Sequence, residues 1–320
     1  AVGGNPNVGK STVVNALTGL RQHTGNWPGK TVSTAQGSCC FEGKPYTLVD
    51  IPGTYSLFAN SAEEEAARDF LCFGGADAAI IVCDATCLER NLNLVLQAIE
   101  ILPRTAVCVN LMDEAERKGI RVDLHRLQEA LGVPVTAASA RTRRGLKSLM
   151  RAVSRVSREE APTPPTVTYS PSIERAASRL LPLLCDLPSP GPSARWLSLR
   201  LLEPEESWNT AFYNYCAALP QWETIRAVAA ECRDQLTSEG VSPSLLLDLI
   251  ASRLIARAEQ IAQSAVTVPP GGGFARDRKL DRLFTSRLTG IPVMLLLLAL
   301  IFWITIAGAN VPSELLSSLG

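Results

Sequence analysis

The stretch Gly4-Asn5-Pro6-Asn7-Val8-Gly9-Lys10-Ser11 fits the phosphate-binding pattern G-x-x-x-x-G-K-[ST] at every position. Glycines at both ends let the backbone curl so that successive N–H groups point at phosphate oxygens. The run that follows, Thr12 to Leu20, carries Val13, Val14, Ala16 and Leu17 at helical spacing, which adds the positive end of a helix. Lys10 would neutralise the β- and γ-phosphates and Ser11 would place its hydroxyl on Mg2+, with Thr12 in the first helical turn completing the set. Upstream, Ala1-Val2-Gly3 is short for a first strand, which points to a clipped chain or an unusually brief strand.

A triphosphate site needs a second carboxylate near the metal and a backbone donor near the γ-phosphate, and Asp50-Ile51-Pro52-Gly53 supplies both. Tyr46 to Ile51 reads as a buried strand, so Asp50 emerges at its C-terminal edge, where α/β sheets bind ligands. Gly53 leaves its N–H open to close approach. Asn110-Leu111-Met112-Asp113 follows another apolar run, Thr105 to Val109. Asp113 can accept two hydrogen bonds from guanine, a pair that adenine cannot offer, while Asn110 braces the loop and touches the imidazole edge of the base. A short strand at Val133 to Ala137 precedes Ser139-Ala140-Arg141, whose backbone N–H groups could reach the guanine O6.

In order and spacing these segments resemble the G1, G3, G4 and G5 motifs of the translation-factor-related GTPases. That resemblance implies a Ras-like P-loop GTPase fold, an α/β domain over 1–158 with a doubly wound, mostly parallel sheet. The same motifs require a G2 threonine between G1 and G3. Gly29-Lys30-Thr31 offers Thr31 as the residue that closes over Mg2+ and the γ-phosphate, with Thr24 as a competing candidate. Gly25-Asn26-Trp27-Pro28-Gly29, Asp50 to Leu57, Asp84 to Leu92 and Asn110 to Gly119 narrow the resemblance further, being similar to the ferrous iron transport protein B family. Where many GTPases have a glutamine after Asp-x-x-Gly, this chain has Thr54. The resemblance implies that K+, held in part by Asn7, supplies charge in its place, giving Asn7, Lys10, Thr31 and Gly53 as the catalytic set.

The chain has 320 residues, 46% of them hydrophobic, and a formal net charge of zero, which suggests no nucleic-acid partner. Ser33 to Asp50 reads as a hairpin turning at Glu42-Gly43-Lys44, and Ser61 before Glu63-Glu64-Glu65 as a helix start. A proline-rich linker at Ala161 to Thr166 ends the first domain, and an all-α domain over 169–268 follows. There Leu246, Leu249, Ile250, Ile255 and Ile261 favour one helical face. The uncharged run from Gly290 to Ala309 reads as a transmembrane helix, taken as 288–309, since about twenty residues at 1.5 Å each cross roughly 30 Å of hydrocarbon. Arg276, Arg278, Lys279, Arg282 and Arg287 precede it, which puts the nucleotide domain on the cytoplasmic side of the inner membrane.

The family resemblance implies GTP/GDP as ligand, Fe2+ as the transported ion, and the bilayer and remaining membrane domain as partners. The alternative is a GTP-dependent switch acting on a separate membrane partner. The nine cysteines contain no C-x-x-C and read as reduced thiols, and His23 and His125 are isolated.

Overall fold

The computed structural model describes residues 1–19, 22–26, 33–58, 61–158, 164–268, 292, 294–296, 298–303 and 305. Gly29, Lys30, Thr31, the start of the proline-rich linker, the basic run 276–287 and much of the candidate span 288–309 lie outside these residues. Among the described residues no helix is long and apolar enough to cross a membrane. Those described at 294–296 and 298–303 are helical, with Met294 60% and Trp303 67% exposed.

Chain contacts gather Ala1–Glu116 and Ile120–Thr267 into one compact unit. Its first part reads β1 (Val2–Gly4), α1 (Lys10–Thr18), β2 (Gln22–Asn26), β3 (Ser33–Phe41), β4 (Lys44–Asp50), α2 (Ala62–Phe73) and β5 (Ala79–Asp84). Then come α3 (Leu88–Ile101), β6 (Thr105–Asn110), α4 (Met112–Arg117), β7 (Arg121–Val122), α5 (Leu124–Leu131), β8 (Val135–Ala137) and α6 (Leu146–Arg158). Seven strands form one sheet in the order β2-β3-β4-β1-β5-β6-β8. The expected hairpin is β3–β4, antiparallel, with β2 antiparallel on its outer side, and every other pairing is parallel.

The strands β5 and β6 read as near-continuous apolar runs because helices cover both sheet faces, and each is buried over nearly its whole length. The first strand is indeed brief. Three residues suffice because β1 lies at the sheet centre, paired on both sides. Ser61 caps α2 by accepting from Glu64 N, so the three glutamates sit where the helix dipole favours negative charge.

The second part is helical: α7 (Pro171–Leu180), α8 (Ala194–Leu201), α9 (Thr210–Ala217), α10 (Trp222–Ser238) and α11 (Pro243–Ala265), ending in β9 (Val266–Thr267). It does not stand apart. The helix α11 packs on α3 and α5, and β9 pairs with β7 in a small antiparallel ladder beside an Asp123 N–H donating to Ala265 O at 2.7 Å. One hydrophobic core runs from Leu92 and Leu127 through Ile173 to Leu254. The expected inward face of α11 needs one correction. Ile255 is 57% exposed, and the buried stripe runs Leu246, Ile250, Leu254, Ala258 and Ile261. Successive helical side chains lie about 100° apart, so with Leu254 on the buried stripe its neighbour Ile255 turns away from it.

Candidate nucleotide site

The ends of β1, β4, β5, β6 and β8 converge on one edge of the sheet, and the candidate residues follow from them. The phosphate loop leaves β1 at Gly4. A Cβ there would stand 2.5 Å from the carbonyl oxygen of Val82 on β5, so only glycine lets the loop start so close to its neighbour. Asn7 lies in the left-handed region at φ 66°, which asparagine tolerates better than most residues, and its side chain is exposed. Val8 and Asn5 are buried, and Gly9 brings no side chain to cap α1.

The Lys10 ammonium pairs with Asp50 Oδ1, and Ser11 Oγ donates to Asp50 Oδ2 at 3.1 Å. The chain thus gathers an ammonium, a hydroxyl and a carboxylate at one point. A hydroxyl and a carboxylate are hard oxygen donors that suit Mg2+ once phosphate oxygens complete the shell. Pro52 is half-buried, whereas the Ile51 side chain is 2% exposed and its amide donates to Val2 O, so Ile51 serves the core. Gly53 lies beside the phosphate loop, its Cβ position 3.4 Å from Pro6 Cα, and Thr54 N donates to Gly4 O at 3.2 Å.

Asn110 is the joint of the site. Its Nδ2 donates to Val8 O at 3.0 Å, and its Oδ1 accepts from Ala140 N at 3.0 Å. One buried amide therefore ties the phosphate loop to the loop after β8. The approach is close: a Cβ on Gly9 would meet Asn110 Nδ2 at 2.5 Å. Asp113 stands beside this joint, its N–H donating to Ser139 Oγ at 3.3 Å and its carboxylate 3.6 Å from the Arg141 guanidinium. Leu111 holds the turn at φ 60°, and Met112 packs its side chain on the core. Of the amides expected to face the base, Ser139 N donates to Arg144 O and Ala140 N is taken by Asn110.

Residues 1–153 match the family model described as ferrous iron transport protein B, and residues 169–267 match that of the FeoB cytosolic helical domain. The chain belongs to the ferrous iron transport protein B family. It is 32% identical over 315 residues to the Fe(2+) transporter FeoB of Salmonella typhimurium, and 33% identical over 316 residues to that of Escherichia coli K12. In both comparisons 97% of this chain is covered but only 39% of the relative. The solved cytosolic domain of T. maritima FeoB in a GDP form has a TM-score of 0.65 at 29% identity, covering 83% of this chain and 97% of that one. Its GMPPNP form gives 0.66 at 29% identity, and the cytosolic domain of L. pneumophila FeoB gives 0.66 at 27%, each over 83% of this chain and 98% and 100% of theirs. The FeoB fold is thus a Ras-like GTPase domain followed by a helical domain, as the motifs implied.

Two further groups of residues hold the loops around the site: one lies in the family-like stretch Asp84 to Leu92, whose role the sequence left unassigned, and the other, Gln97, lies outside every motif. Asp84 Oδ1 accepts from Thr86 N at 2.7 Å, and Asn91 Oδ1 accepts from Asp84 N, fixing the turn after β5. Gln97 on α3 accepts from Leu57 N at 2.6 Å, holding the segment after Gly53. The signal for Gln97 was a polar residue four places after Asn93 in an otherwise leucine-rich helix. The thiol of Cys108 is buried and pushed up to about 12, and burial likewise raises that of Cys83. His125 is exposed beside Glu129, and among the described residues no group of three His, Cys, Asp or Glu could hold a metal.

Proposed function

We propose that this chain is the GTP-binding and GTP-hydrolysing cytoplasmic part of a ferrous iron transporter of the inner membrane, its nucleotide state controlling Fe2+ uptake. The observation that carries the nucleotide reading is Asn110, which joins the phosphate loop to the base-reading loops through Val8 and Ala140. That joint supports a ligand with phosphates at one end and a base at the other, because it sets the two loops at a fixed distance. The names of the relatives favour transport over a stand-alone switch.

On binding, Lys10 exchanges its carboxylate partner for phosphate oxygens, which frees Asp50 to hold Mg2+ together with Ser11. Mg2+ would neutralise the charge that develops on the phosphates. Thr31 would add a further hydroxyl donor for Mg2+ in the loaded state. Against the protein itself, Gly53 has room for a Cβ, so the reason for glycine lies on the γ-phosphate side. Asn7, exposed on the left-handed turn of the loop, would hold K+, which would supply positive charge there as an arginine does elsewhere. The span at 288–309 tethers this unit to the bilayer and to the remaining membrane domain.

The test is calorimetric titration of the chain with GDP, GTP and ATP in Mg2+. Wild type binds guanine nucleotides and not ATP, and Lys10→Ala loses GTP affinity by about a hundredfold or more. Unchanged GTP affinity in Lys10→Ala would sink the phosphate-loop assignment.

A further inference from the structure

The segment after Gly53 cannot orient a water through its first side chain. Thr54 is 5% exposed, and its hydroxyl donates to Ser56 O at 2.7 Å while accepting from Ser56 N at 3.3 Å. The hydroxyl is spent on its own turn. What remains adjustable is the position of the loop backbone, and a stripe on α3 sets it. Gln97 Oε1 accepts from both Leu57 N at 2.6 Å and Ser56 Oγ at 3.3 Å, and its Nε2 donates to Asn93 Oδ1 at 3.3 Å. Two turns earlier on the same face, the Arg90 guanidinium lies over the Tyr55 ring at 4.5 Å from its centroid. Arg90, Asn93 and Gln97 share one face because residues three and seven apart fall on the same side of a helix.

We propose that Gln97, with Arg90 as a second anchor, is a positioning residue for GTP hydrolysis. By fixing Tyr55 to Leu57 on α3 it fixes Gly53 and Thr54 against the γ-phosphate side of the site. Gln97 is 4% exposed and makes no use of its polarity except toward this loop and Asn93. A buried amide is costly unless its bonds are made, so an apolar residue would serve simple packing better. Because α3 also packs on α8 and α11, the same helix would let the helical unit bias the loop.

This inference rests on the hydrolysis reading, and the experiment separates the two. Single-turnover GTP hydrolysis and GDP affinity are measured on the full 320-residue chain in detergent, for wild type, Gln97→Met, Gln97→Glu and Arg90→Ala. No hydrolysis by wild type overturns the hydrolysis reading and this inference with it. With wild type active, Gln97→Met should lower the hydrolysis rate about tenfold with GDP affinity changed less than twofold, and Gln97→Glu, which keeps an acceptor for Leu57 N, should recover most of it. Arg90→Ala, an exposed change that spares folding, should lower the rate about threefold. Hydrolysis at the wild-type rate in Arg90→Ala and Gln97→Met, or a loss of GDP affinity as large as the loss of rate, would overturn the proposal.

Discussion

In the proposed site Asp113 would carry the choice of base, and its surroundings say how it is held. Its backbone is tethered to Ser139 and its carboxylate lies near Arg141, an exposed partner that water screens and that a base can displace. Asp113→Asn should therefore shift preference from guanine toward xanthine by at least about a hundredfold, read by competitive displacement of a fluorescent GDP analogue. Retained guanine preference would remove Asp113 from the site. At this scale the sequence was most legible where a residue type is dictated by chemistry: Lys10 and Ser11 lie against Asp50, and Asn110 reaches the phosphate loop at Val8. It was silent on Gln97, because its partner is a backbone group of a distant segment and a pattern records side-chain types, not the amides they satisfy.

Among the elements, α3 and α11 carry the link between the two parts of the compact unit. Leu254 and Ile255 are adjacent and equally apolar, yet Leu254 is 1% exposed and Ile255 57%. Leu254→Ala should cost about 2–5 kcal/mol of stability, and Ile255→Ala no more than about 0.5 kcal/mol, in denaturant unfolding. Equal costs would contradict the register of α11. That register was only partly legible, since a helix with apolar residues on several faces does not reveal from its periodicity which stripe finds a partner.

The last turn of α3 also bears Glu100, which accepts from the Tyr169 hydroxyl at 2.9 Å while Arg195, paired to Glu174, lies nearby. Burial pushes the Glu100 carboxyl up to about 7, against the pull of the Tyr169 bond and Arg195 and with a further push from Glu174. A carboxyl raised on folding contributes stability that is present below about pH 4.5 and lost as pH rises through about 7. Glu100→Gln keeps an acceptor for Tyr169 and removes that loss. At pH 8 it should be more stable than wild type by up to about 3 kcal/mol, with the advantage vanishing near pH 4. A difference independent of pH would mean that folding does not shift the Glu100 carboxyl at all.

For the whole molecule, the two strands that are apolar almost throughout, β5 and β6, lie inside the sheet, and the helical part folds back on the nucleotide domain through α11 and the β7–β9 ladder. The sequence divided the chain at a proline-rich linker, and composition alone does not register that a single core continues past it. The chain spans 39% of the length of the curated FeoB relatives it matches, so the nucleotide chemistry is the part of the proposed cycle that this chain itself must perform. The direct measurement is phosphate release by the purified chain from GTP and from ATP, in Mg2+ buffers matched except for potassium or sodium. GTP turned over faster in potassium, with ATP left intact, is the predicted result; ATP consumed as readily as GTP, or no turnover of GTP in either salt, would contradict it.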